Sequence, residues 1–479
     1  MRIKSISFYL ITGLLLAPSA MNADDFKPLR VLNDSLPEQW TYNENFSQEL
    51  PSDDRWWSYF EDPVLDSLIT AGENNNYNIL MAARRIEVAR QALNSIRAGY
   101  FPTFNLSGGW TKSRNSGALG SVMTRASTVD YFSLGIDMSW EIDIFGRIAT
   151  KAKGAKASYN ATRAEHAAVM TSLCSNIAKT YITLRMWQAE LLVVQEHIAS
   201  QEKILKMTEA RHEAGLCSML DVTQARIVFY STQATLPQLK SSIHTTINAL
   251  ALLLGEYPEA LYERLSATAP MPSYHHIVTA GIPMELLRRR PDIVEAEYQL
   301  AASAAQLGIA KKEFLPTLTL NGSIGTSAHR IGDMFKDDSF TYAIAPTLSW
   351  TIFDGLARNY NMASARASME IEMDNYNLTV MTAVEEVDNA MSTYLATLDN
   401  IEMLKKVIEQ SRKSLELSVD LYKSDLSAFS NVVDAQMSLL ENQNSLVVAQ
   451  GKALTSLVAL YQALGGGWDI TCLLYTSDA

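Results

Sequence analysis

A chain of 479 residues exceeds the ~250 to 300 at which a single hydrophobic core stops growing, so it forms several domains or one very elongated body, and a compact single-core enzyme is disfavoured. Hydrophobic residues at 47% and charged residues at 19% describe a folded chain and exclude general disorder. Forty Lys and Arg against 52 Asp and Glu leave a formal charge of -12, without the cationic footprint that nucleic acid requires, so no nucleic-acid partner is expected.

The first residues read as a secretory signal peptide over residues 1–23. Arg2 and Lys4 precede an apolar run from Phe8 to Leu16, and small residues follow at Ala17, Ser19 and Ala20. No later stretch approaches the ~18 apolar residues of a membrane helix, so an envelope protein of this sequence would be soluble, peripheral or a β-barrel. A mature N-terminal segment spans residues 24–62. From Thr103 to Thr111 and from Tyr131 to Trp140 the residues alternate with period two; Phe132, Leu134, Ile136, Met138 and Trp140 oppose Ser133, Gly135, Asp137 and Ser139. Alternation alone fits a soluble sandwich face as well as a membrane strand. The signal peptide and the polar loops Lys112 to Val129 and Ser327 to Ser339 favour the membrane.

From about Gly154 to His212, apolar residues recur every seven positions, at Met170, Ile177, Leu184, Leu191, Ile198 and Leu205. A heptad sustained over this length predicts a coiled-coil helix of roughly 90 Å, too long for a globule. Glu213 to Leu220, containing Gly215, reads as a hairpin tip, and Val222, Phe229, Leu236, Ile243 and Leu250 carry the seam of the returning helix. Pro237 predicts a kink or break in it. A connector follows at 256–282.

The chain then repeats itself at an offset of about 210 residues. Phe101-Pro-Thr-Phe-Asn-Leu-Ser-Gly108 is echoed by Leu315-Pro-Thr-Leu-Thr-Leu-Asn-Gly322, and Ser139-Trp140 by Ser349-Trp350. The strands recur at Thr317 to Gly325 and Tyr342 to Trp350, where Pro346 predicts a bulge. The long helix recurs with Val380, Val387, Tyr394, Ile401, Ile408 and Leu415, the tip at Lys423 to Ser430, and the returning seam with Val432, Leu439, Leu446, Ala453 and Leu460. The units are thus 63–255 and 283–468, each a helix, a β-hairpin and a coiled-coil hairpin. Residues 469–479, with Cys472, read as an artefactual tail. Four strands cannot close a barrel alone, since a bacterial one needs at least ~8.

Several stretches resemble the TolC-like outer-membrane efflux family, in particular its NodT-like subgroup. They are Trp56-Trp57 with Phe60 and Asp62-Pro63, Trp140-Glu-Ile-Asp-Ile-Phe-Gly-Arg147, Ile282-Pro-Met-Glu-Leu-Leu-Arg-Arg-Arg-Pro-Asp-Ile293, Trp350-Thr-Ile-Phe-Asp-Gly355 and Leu464-Gly-Gly-Gly-Trp468. The resemblance covers about Trp56 to Trp468. It implies a mainly α fold with a membrane β-barrel: a homotrimer in which four strands per protomer build a shared twelve-stranded barrel and the long helices a periplasmic α-barrel, girdled by an equatorial band. It also implies a passive duct in the outer membrane of a Gram-negative bacterium, exporting small molecules delivered by a periplasmic adaptor and an inner-membrane transporter of the resistance, nodulation and division type. A polypeptide-secretion conduit and a soluble periplasmic coiled-coil adaptor are the alternatives.

The resemblance places a channel gate at Tyr422, Asp434 and Asp221, with Ser427 and Asn431 standing where some relatives carry an Arg and a second Asp. An ionic latch through those two positions is therefore not expected. The tips at Gly215, Leu216, Asp425 and Leu426 would touch the adaptor, and Asp425, where Gly is usual, predicts a different conformation for the second turn. The alternative is that Asp221 and Asp434 are solvated first-turn carboxylates favoured by the helix dipole. No Cys precedes Cys174, which excludes an N-terminal lipid anchor. His275-His276 and His212 near Cys217 lack a third ligand, so they read as solvated histidines; no catalytic set, metal or cofactor is expected. Arg288-Arg-Arg290 reads as a cluster satisfying structural carboxylates.

Overall fold

The computed structural model describes residues 39–42, 44, 46, 55–115, 127–276, 278, 280, 281 and 289–466. The signal peptide, the centre of the first strand loop, Ile282 to Arg288, Gly467-Trp468 and the tail with Cys472 lie outside them. After a short 3-10 turn at Trp56–Phe60, two helices, α1 (Pro63–Asn75) and α2 (Tyr77–Ala98), lead into β1 (Thr103–Asn115) and β2 (Ser127–Ile142). Then come α3 (Arg147–Glu213), α4 (Met219–Gln233), α5 (Leu236–Leu254) and α6 (Pro258–Leu265). The second copy contains α7 (Pro291–Lys312), β3 (Thr317–Ala328), β4 (Phe340–Ser349), α8 (Ala357–Lys423) and α9 (Phe429–Ala463).

Local chemistry sets these boundaries. The Asp62 carboxylate accepts from the Val64 and Leu65 amides ahead of α1, and Asn76 does the same for Asn78 and Ile79 at α2. Asp143 accepts from the Ile148 and Ala149 amides, so α3 begins at Arg147, a full two turns before the expected Gly154. Pro237 lies in the first turn of α5, and the predicted break falls just before it, at Ala234-Thr235; α9, with no proline, runs unbroken.

The repeat is resolved into two offsets. Helices α2 and α7 begin 214 residues apart, at 77 and 291, whereas α3 and α8 begin 210 apart, at 147 and 357. The second β-hairpin unit is therefore four residues shorter. Both long helices have 67 residues, roughly 100 Å at ~1.5 Å per residue.

The strands form one antiparallel meander in the order β1-β2-β3-β4. Pairing of β3 with β4 continues through Leu320 opposite Pro346 without the expected bulge, and Trp350 lies just past the strand. Proline is tolerated there because β4 is an edge strand in the chain. Register places Leu106, Ile136, Ile324 and Tyr342 in one row and Phe104, Met138, Gly322 and Ile344 in the next-but-one row of the same face. This face is apolar yet exposed, Leu106, Tyr342 and Ile344 each being about three-quarters accessible. The opposite face carries Ser107, bonded to Asp137, and Ser139, bonded to Asn321. At the base of the sheet the indoles of Trp140 and Trp350 donate to the carbonyls of Tyr100 and Phe314, the same brace in both copies. No helix among the described residues is long and apolar enough to cross a membrane.

The main core lies midway along the long helices. Leu184, Ile177 and Tyr181 of α3 meet Leu250 and Leu254 of α5, Val387 of α8 and Leu457 and Tyr461 of α9. The N-terminal segment closes over this core: the Trp56 indole stacks on Tyr461 at 5.5 Å and 8°, and the Trp40 indole donates to the Gly281 carbonyl. Tyr181 donates to Asp62, and Arg290, 7% exposed, is held by Asp292, Glu386 and the Ala463 carbonyl, the structural role expected of this member of the arginine cluster. A second, separate apolar cluster forms at the far end of the helices from Leu205, Ala225, Tyr422, Phe429 and Val432.

Candidate functional site

At the far end both hairpins turn in five residues. In the first, Gly215 takes a left-handed conformation with φ 74°, and the Leu216 amide donates to the Arg211 carbonyl. In the second, Asp425 has φ 58° and the Leu426 amide donates to Leu421. The two turns are the same, which corrects the expectation that Asp425 forces another geometry. The backbone cost of a left-handed Asp is offset by its side chain: the Asp425 carboxylate pairs with the Arg211 guanidinium, which also donates to the Lys423 carbonyl at 2.9 Å.

The Arg211 guanidinium lies 5.2 Å from the centre of the Tyr422 ring, which also meets the Phe429 ring at 5.0 Å and a 60° tilt. Tyr422 is 4% exposed, and its hydroxyl donates to Asp221 at 3.1 Å, the expected pairing across the two hairpins. Burial, together with the Cys217 and Asp221 side chains, pushes the Tyr422 phenol well above its ordinary value, so it remains a donor throughout the physiological range. Asp221 itself is fixed by Ser218, the N-cap of α4.

Among the described residues Ser427 and Asn431 bond each other and the local backbone alone, Asn431 donating to the Ser427 hydroxyl at 2.8 Å. Asp434 is exposed on α9, one turn beyond Asn431, and has no partner within the chain among the described residues. The site residues thus divide. Tyr422 and Asp221 meet; Ser427 and Asn431 pair locally; Asp434 stands alone. Leu216 and Leu426 project at 58% and 75% exposure, while Gly215 has open space around it and Asp425 is engaged by Arg211. The tip does contain an ion pair, through residues other than those at which a latch was ruled out. Arg211 and Phe429 were missed. Arg211 lies off the heptad seam and its partner is 214 residues away, so no local spacing reveals it.

The outer membrane efflux protein family matches residues 68–256 and 282–466, one stretch in each structural copy. Over 419 residues the chain is 30% identical to the solvent efflux pump outer membrane protein SrpC of Pseudomonas putida, covering 86% of this chain and 87% of that one. It is 28% identical over 414 residues to nodulation protein T of Rhizobium leguminosarum bv. trifolii, covering 86% and 88%. Its fold superposes on the outer-membrane channel OprN with a TM-score of 0.85 at 27% identity, over 90% of this chain and 97% of that one.

Proposed function

The chain belongs to the outer membrane efflux protein family, and from that premise we propose that it works as a passive trimeric duct for small toxic molecules handed on by a periplasmic adaptor and an inner-membrane pump. It is an outer-membrane efflux protein with a large periplasmic helical portion. The observation that carries the trimer is the sheet: an apolar exposed face with unpaired edges at β1 and β4. In lipid each unsatisfied backbone group costs several kcal/mol, and three copies would join edge to edge as twelve strands with none left open. Transport then needs no bond chemistry from this chain, only a continuous passage. The segment 24–62 and the connector 256–282 would form the equatorial band, a reading supported by the packing of Trp40 and Trp56 on the main core.

The narrow end of the duct would be the tip. There Tyr422 and Asp221 tie the second hairpin to the first, and threefold symmetry would bring one Asp434 per protomer towards the axis, favouring cations. Gly215, Leu216, Asp425 and Leu426 would meet the adaptor. Crosslinking of protein extracted from outer membranes with detergent is expected to give a three-subunit species. A stable folded monomer, or recovery in the periplasmic wash without detergent, would overturn the duct.

A further inference from the structure

Between the main core and the tip, a groove of about 990 Å³ is lined by α4, α8 and α9, together with Gln201 of α3 and Thr235. Helix α9 packs on α8 and α3, and also touches α4 across α3, so these helices form a curved row with α4 and α8 outermost. A groove lined by both outer members lies on the concave side. Its α9 residues Glu441, Val448 and Lys452 continue at helical spacing the stripe that begins at Asp434, the side that would face the tunnel.

The groove has the makings of a binding site. Gln201 is 3% exposed, yet neither its amide nitrogen nor its amide oxygen has a hydrogen-bond partner, and the Asn444 carbonyl oxygen also lacks one. Buried amides are almost always satisfied, so a pair of orphaned ones beside a groove calls for an occupant that both donates and accepts. Val448 provides apolar wall. Glu441 and Lys452 set opposite charges eleven residues apart on α9, about 16 Å along the axis. The volume is that of a site for a small organic molecule.

We propose that this groove is a resting site for cargo on the tunnel wall, shaped for a zwitterionic, amide-bearing amphipathic molecule of peptide-like chemistry; it rests on the duct reading. The amino end would lie near Glu441, the carboxylate near Lys452, and the backbone amides against Gln201 and Asn444. The test uses the detergent-solubilised trimer and a dansyl-labelled tripeptide with free amino and carboxyl ends. Its fluorescence is expected to rise saturably, at one site per protomer. Gln201→Leu should weaken binding about tenfold. Glu441→Gln, at an exposed position that folding does not need, should weaken the free tripeptide but leave its doubly capped analogue unchanged. Absence of saturable binding, or unchanged affinity in Glu441→Gln, overturns the site. Conductance of the same trimers in planar bilayers separates the two claims: failure to conduct sinks the duct, whereas a conducting trimer that ignores the probe sinks only the site.

Discussion

Asp425 holds a left-handed backbone that disfavours any residue with a Cβ by roughly 1 kcal/mol, and its carboxylate is also the partner of Arg211. These two effects oppose each other, so their removal can be separated by choice of substituent. Asp425→Gly relieves the backbone while losing the pair and should leave tip closure near the parent. Asp425→Ala keeps the strained turn and loses the pair, and should raise open probability in planar bilayers several-fold, about 1 kcal/mol for a pair with one exposed partner. Arg211→Ala should match it, and the double variant should add little. Asp434, unpartnered among the described residues, should behave in the converse way: Asp434→Ala should weaken cation preference with little change in closure. Equal ion preference in Asp434→Ala and the parent would make it an ordinary helix-end carboxylate. The Tyr422 to Asp221 contact was legible through the family resemblance, because both residues match positions in its tip. Arg211 was not, since a turn residue carrying a charge looked like a mere departure and its partner is remote in sequence.

Among the elements, the heptads located the long helices and their seam correctly. Leu184 is fully buried and Leu191 8% exposed, whereas Thr183 is only half-buried and bonds its hydroxyl back to the Lys179 carbonyl. Leu184→Asp or Leu191→Asp should abolish trimer recovery on a detergent gel, because a charge enters an apolar seam. Thr183→Asp should still assemble, and equal tolerance at all three positions would refute the register. Helix starts were less legible. The first two turns of α3 are lysine-rich and lack the apolar period, and what makes them helical is the Asp143 cap, reinforced by Lys312 donating to the Gly146 carbonyl. Periodicity does not report such contacts.

At the scale of the molecule, apolar packing among the described residues is gathered into two places, the main core and the small cluster at the tip, with the polar groove between them. Regions with few buried contacts open at low free energy. Hydrogen exchange of the trimer should therefore show the tip, around residues 205–225 and 415–432, exchanging well before the core around 173–184 and 457–461. Uniform protection along the helices would contradict this division. That each copy carries a β-hairpin with an apolar side was readable from alternation; that β2 joins β3, making one sheet from the two hairpins, was not, because nothing local encodes a pairing across so much intervening helix.

The equal length of α3 and α8 has a geometric result of its own. Both leave the sheet at its base and both run 67 residues, so Gly215 and Asp425 finish at the same height, like two legs cut to one measure. Three copies would then end in a level rim of six nearly equivalent turns, although only three chains supply them. Removing one heptad from the first hairpin alone would drop every second turn by about 10 Å and leave the rim crenellated.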